Sequence, residues 1–170
     1  MMKEKIQVRQ ARLEDLDAIE RIELENFSAE EAIEREILKD HIEKIQTTFL
    51  VAECEGQILG YLEGPVRPER YLIDASFTEV EDLSQIERGF ISITSLSIAK
   101  EAQGLGVGTL LLEAMKEIAM EDAREGINLT CHDYLIPYYE KQGFTNEGLS
   151  ASQYAGEVWY NLVWQNKNLD

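Results

Sequence analysis

Basic residues are scarce here: 16 Lys plus Arg stand against 33 Asp plus Glu, for a net charge of -17 in 170 residues. Phosphate contacts need clustered Lys and Arg, so this balance excludes a nucleic-acid surface. An acidic surface steers cations toward it, which points to amines or basic peptides, unless the charge serves solubility alone. Two cysteines, Cys54 and Cys131, lie far apart in strand-like runs. That excludes a disulfide framework and predicts buried thiols in a reducing compartment. No apolar run approaches membrane-spanning length, and Met1-Met2-Lys3-Glu4-Lys5 leads directly into a strand pattern instead of an apolar signal region. The expected location is cytoplasmic, with no membrane partner. Cys131, His132 and Asp133 are neighbours on a strand and alternate between faces, so they do not close a tetrahedral site, and no metal is expected.

What is present reads as ordinary globular protein, 44% hydrophobic and 29% charged, of a length suited to a single domain over residues 1–170. A first strand is predicted around Ile6, Val8 and Gln10. A helix follows over Asp15 to Asn26, with Leu16, Ile19, Ile22 and Leu24 as its apolar stripe. Ser28 and Glu31 fit a capping box, which starts a second helix at Ala29 that runs to about Ile42. Thr47 to Cys54 and Gln57 to Leu62 flank Glu55-Gly56, the signature of an antiparallel hairpin. Residues 64–88 form a long acidic excursion with room for a short helix.

Gly89 to Ala99 reads as a strand whose irregular alternation predicts a bulge. It leads into Gln103-Gly104-Leu105-Gly106-Val107-Gly108 and then a helix with Val107, Leu110, Leu111, Ala114, Met115 and Ile118 on one face. Residues 127–131 give a further strand, parallel to 89–99 because a crossover helix joins them. Pro137 to Gly143 reads as a short helix with a glycine stop, and Glu157 to Trp164 as a last strand.

The glycine turn carries the chemistry. A strand that ends in such a turn and continues as a helix aims unpaired backbone N–H groups at one point, a device for holding phosphate that needs no positive side chain. A dinucleotide fingerprint would follow the first strand, and a triphosphatase loop would need Gly-Lys-Ser or Gly-Lys-Thr, so both are disfavoured.

Gln103 to Gly108 resembles the Q/R-x-x-G-x-G/A pyrophosphate motif of the GNAT N-acetyltransferases, and the order of elements along the chain is similar to theirs. Leu129 to Phe144 resembles the arylalkylamine N-acetyltransferase branch more closely still. The resemblance implies an α/β (α+β) GNAT fold: a mixed sheet of six to seven strands splayed at the middle, with about four helices. It implies acetyl-CoA in that opening, its pantetheine beside Leu96, Ser97 and Ile98, and its pyrophosphate on Gln103, Gly104, Leu105, Gly106, Val107, Gly108 and Thr109. Tyr139 matches the family's general acid, which protonates the departing thiolate. The acceptor it implies is a primary amine, small and cationic or aromatic.

The branch's two histidines on the motif strand fall at Ser92 and Thr94, neither a useful base but both placed to line the acceptor. The base must then lie elsewhere. Glu63, at the end of the hairpin strand, is the leading carboxylate, as base and as substrate contact, with Asp74 and Glu81 behind it. The alternatives are a non-catalytic acyl-CoA sensor of the same fold and an enzyme acting on a protein or peptide amine. An edge strand near the C-terminus and exposed aromatics leave a homodimer open.

Overall fold

The computed structural model describes residues 5–169; of the start read at residues 1–5, residues 1–4 lie outside them. Among the described residues no helix is long and apolar enough to cross a membrane. The strands are β1 (Gln7–Gln10), β2 (Phe49–Cys54), β3 (Gln57–Glu63), β4 (Val66–Arg67), β5 (Phe90–Ser92), β6 (Ser95–Ile98), β7 (Gly126–Cys131), β8 (Thr145–Leu149) and β9 (Tyr160–Gln165). The helices are α1 (Leu16–Asn26), α2 (Arg35–Lys44), α3 (Val107–Glu121) and α4 (Ile136–Lys141). Two sheets result, one in the order β1-β2-β3-β6 and the other β4-β5-β7-β9-β8. This is the splayed mixed fold that the resemblance implies.

The strand count exceeds six or seven for three reasons. β4 is a two-residue pairing inside the excursion. β8 has the sequence Thr-Asn-Glu-Gly-Leu, poor in strand formers, and exists because β9 offers it an edge, with a register shift between Asn146 and Leu149. The segment 90–98 is two strands, not one bulged strand. The Ile93 amide donates to Asn128 of β7 at 2.8 Å, and the next amide, Thr94, donates to Glu63 of β3 at 2.9 Å. Consecutive residues thus belong to different sheets, and the sheet parts there. β5 pairs with β7 in parallel, as the crossover predicts.

The β2–β3 hairpin turns on Glu55 and Gly56 with φ of 51° and 83°, the paired positive values of a type I′ turn. α3 buries Val107, Leu111, Leu112, Met115 and Ala119, while Leu110 is exposed. Each fully buried Leu or Met contributes about 1.5–3 kcal/mol. On α1 the buried stripe is Leu16, Ile19, Ile22 and Glu23; Leu24, expected in it, is 58% exposed. Helical geometry explains the swap, since Glu23 stands four residues after Ile19 and Leu24 is rotated off that face.

α2 begins at Arg35, not Ala29. Ser28 does cap a turn, accepting from Ala32 N at 2.8 Å and from Glu31 N through its Oγ at 3.3 Å. The chain then leaves helical geometry because Ile33 N donates to Glu23 Oε2 at 2.9 Å, wrapping residues 28–33 around that carboxylate. The excursion is pinned from beneath: Asn128 Nδ2 donates to the carbonyls of Glu69 and Arg70, and Arg124 to those of Ser84, Ile86 and Arg88.

Candidate active site in the gap between the sheets

The parting of β6 from β7 opens a cleft of about 700 Å³ that runs from the glycine turn to the start of the 28–34 loop. β6 is an edge strand of its sheet, so its outer backbone groups face the gap. Leu96, Ser97 and Ile98 line it, as do Gln103, Gly104, Gly106, Val107, Gly108 and Thr109. Leu105, expected with them, turns its side chain onto the core and is not among the lining residues.

Gly104 and Gly106 sit at φ 85° and 79°, a left-handed conformation that side chains adopt at a cost. Gly106 is the N-cap of α3, and no side chain caps the first turn. The leading N–H groups of this 15-residue helix therefore have no helical partner and point into the cleft mouth, which suits a diphosphate. Gly108, also on the lining, meets a packing constraint as well. The Tyr138 hydroxyl lies where its Cβ would be, so the helix start and α4 pack through that glycine.

Asn26, at the end of α1, donates through Nδ2 to Ile22 O at 3.1 Å, Ser97 Oγ at 2.9 Å and Ile98 O at 2.8 Å. It ties the first helix to the free edge of β6. Glu23, three residues earlier, is 1% exposed yet lines the cleft. It accepts from the Tyr61 hydroxyl, from Ser95 Oγ at 2.7 Å and from Ile33 N at 2.9 Å. Burial lifts its pKa above the usual 4.5, although these donors pull the other way. Neither residue was singled out from the sequence. The available signal was polar side chains at positions 23 and 26, on the apolar face set by Ile19 and Ile22.

Tyr139 lines the cleft from α4 at 7% exposure, with Tyr138 and Phe144 rings edge-on at 5.1 and 5.7 Å. Burial drives its pKa well above 10, so the phenol keeps its proton. Cys131, also on the wall, is a free thiol pushed up to about 12 by burial and, secondarily, by Asp133. His132 completes the mouth, stacked on Trp159 at 4.3 Å and Tyr134 at 5.6 Å, with Nε2 2.9 Å from Glu31 Oε2. Ligand atoms of Glu31, His132 and Glu157 lie within 4.8 Å of one another, a grouping that chain order hides.

The remaining sequence-picked residues fall differently. Thr94 lines the cleft, but Ser92 is fully buried and off the cleft wall, its hydroxyl without a partner among the described residues. Glu63 is 0% exposed, bonded to His41 and Thr94, and reaches the cleft through Thr94. His41 of α2 covers that strand end. Asp74 is off the cleft wall, accepting from Ser152 Oγ and from Gln153 N at 3.0 Å. Glu81 is exposed and paired with Arg67 at 3.4 Å.

The Acetyltransferase (GNAT) family profile matches residues 14–144. The N-alpha-acetyltransferase of Sulfurisphaera tokodaii is 27% identical over 163 residues, covering 92% of this chain and 90% of that protein. The crystal structure of Ard1 from Thermoplasma volcanium superposes with a TM-score of 0.71 at 16% identity, over 95% of this chain and 97% of that one. The GNAT-like decarboxylase GphF, solved in complex with isobutyryl-CoA, gives 0.74 at 16% identity, over 95% and 100%. At such identities the two structural likenesses concern fold.

Proposed function

Since this chain belongs to the GNAT acetyltransferase family, we propose that it transfers the acetyl group of acetyl-CoA to a primary amine, by direct attack within a ternary complex. The observation that carries the reading is the continuity of one cleft from an uncapped, glycine-started helix to the buried carboxylate Glu23. An anion fits one end and a cation the other.

Acetyl-CoA supplies the activated acyl group as a thioester. The N–H groups at the start of α3 and in the glycine turn hold its diphosphate, and the free edge of β6 at Leu96 to Ile98 offers backbone partners to its pantetheine amides. A backbone N–H near Ile98 polarises the thioester carbonyl. Glu23 holds the acceptor ammonium, with Glu31 beside it at the mouth. Tyr139 keeps a proton on Oη for the departing sulfur.

The acceptor is a small cationic or aromatic amine. Support comes from the arylalkylamine-like stretch Leu129 to Phe144 and from the aromatic wall of Phe27, Phe77, Tyr134, Tyr154 and Trp159 around the acidic groups. A second reading, a protein α-amine, is favoured by the name of the Sulfurisphaera tokodaii relative.

The test is amine-dependent release of free CoA thiol across a panel of arylalkylamines, polyamines and unacetylated peptides. Release with the small amines supports the first reading, and release with peptides alone transfers support to the second. Acetyl-CoA binding without release for any amine would replace the enzyme with a sensor.

A further inference from the structure

Three side chains from separate elements converge under the cleft floor. His41 from α2 places Nδ1 at 2.5 and 2.9 Å from the two oxygens of Glu63, at the end of β3. Thr94, in the link between β5 and β6, donates to the same carboxylate, with Oγ1 2.5 Å from Oε2. His41 and Glu63 are both 0% exposed, whereas Thr94 lines the cleft. Among the described residues, His41 Nε2 has no hydrogen-bond partner.

Stability does not account for this arrangement. A buried ionisable pair is often no more stabilising than apolar side chains of equal volume, and an orphaned buried nitrogen adds a further cost. The position of the group is informative: a hydroxyl on the cleft wall is backed by a carboxylate that solvent does not reach. Glu23 cannot serve both purposes efficiently, because the charge that holds the ammonium also raises the ammonium's pKa.

We propose that Thr94, Glu63 and His41 form a proton exit from the acceptor site, in which the Thr94 hydroxyl takes a proton from the acceptor ammonium as its own proton passes to Glu63. This deepens the acetyl-transfer reading and rests on it. One N–H bond of the ammonium breaks and an Oγ1–H bond forms; the original Oγ1–H bond breaks and a Glu63 O–H bond forms. The amine keeps the electron pair and becomes a nucleophile; after product leaves, the proton passes back from Glu63 through Thr94 to water in the open cleft, which resets the carboxylate. Thr94 is the group that touches substrate; Glu63 and His41 act through it.

The charge state of His41 gates the exit. With His41 neutral, the buried pair goes from one negative charge to none on accepting the proton. With His41 charged, it would go from neutral to an uncompensated buried cation, which the interior disfavours. Burial alone would lower the pKa of His41, but the facing Glu63 carboxylate outweighs it and sets the value above 6.5. Asp40 and Lys44 on α2, Glu23 on α1 and Tyr61 on β3 shape the same field.

The test is the pH profile of kcat for thiol release in wild type, Thr94→Val, Thr94→Ser and Glu63→Gln, with acetyl-CoA affinity measured by calorimetry on each. The expected wild-type kcat rises with pH along a limb above 6.5. Thr94→Val, matched in shape, loses about 100-fold in kcat and loses that limb, Thr94→Ser restores both, and acetyl-CoA affinity stays unchanged. Thr94→Val with wild-type kcat and the same limb overturns the proton exit and leaves the transfer reading intact. Wild type without amine-dependent release overturns both. Should Glu63→Gln fail to fold, the Thr94→Val and Thr94→Ser pair decides alone.

Discussion

Tyr61 on β3 and Glu23 on α1 are joined by a hydrogen bond in which the fully buried phenol donates and the carboxylate accepts. The bond fixes the end of the first helix to the sheet and aims a carboxylate into the gap. Replacing Tyr61 by Phe removes a donor to a charged group, which costs about 1.5–3 kcal/mol of folding stability in a denaturant titration.

Glu23→Gln tests the ammonium grip. Loss of a buried charge partner raises the amine KM, lowering kcat/KM about 100-fold or more, while acetyl-CoA affinity is unchanged in calorimetry. The sign with pH follows from a carboxyl whose pKa lies above 4.5. The charged form that grips the cation is complete above that raised value and disappears as pH falls through it. Wild-type kcat/KM for the amine therefore drops at a higher pH than an ordinary glutamate would give, and that limb is absent from the variant.

Tyr139→Phe separates binding from departure of the thiol. The variant keeps its acetyl-CoA affinity and loses about 100- to 1,000-fold in kcat for release of the CoA thiolate. Because burial holds the phenol protonated well above pH 10, Tyr139 itself contributes no fall in wild-type rate on the approach to that pH. A stopped-flow thiol assay at fixed amine checks both points.

The glycine turn is tested at two positions for two different reasons. Gly106→Ala forces a side chain onto a backbone at φ 79°, a cost of about 1–2 kcal/mol that loosens the start of α3. Gly108→Ala displaces the Tyr138 hydroxyl and with it the packing of α4 on the helix start. Each substitution is expected to weaken acetyl-CoA binding about 10-fold or more, read by calorimetry.

How much of this was legible in sequence depends on whether local pattern or distant pairing decides. The glycine turn, its helix and the Glu55-Gly56 hairpin are local, and they are legible; Tyr139 comes from the resemblance, and the structure adds only its place on the cleft wall. The parting of the sheet at Ile93 and Thr94 depends on which distant strand each amide meets, and alternation showed it only as irregularity. Leu24 joins the stripe by hydrophobicity and Glu23 by helical phase; the structure buries the acid since Tyr61, Ser95 and Ile33 supply its donors from other elements. The burial of Glu63 needs α2 over it, and no feature near Glu63 in the chain announces that.

Stability has its own test, remote from the cleft. Asp15 accepts from Arg9 at 2.8 and 3.0 Å and from Arg12 N at 2.8 Å. Burial would raise its pKa, but these bonds outweigh burial and hold it below 3.8. A depressed carboxyl stabilises the fold above its unfolded value and loses that contribution as pH falls through the folded one. Asp15→Asn is expected to cost about 2–3 kcal/mol at pH 7, with little further loss from this site in acid, as followed by urea titrations across pH.

A crystal structure with bound acetyl-CoA tests the central claim most directly. The diphosphate is expected within hydrogen-bond distance of backbone N–H groups between Gly104 and Thr109, with the pantetheine arm along the free edge of β6 and the sulfur beside Tyr139. A carrier bound outside the gap, or a diphosphate held by side chains away from the start of α3, would contradict it.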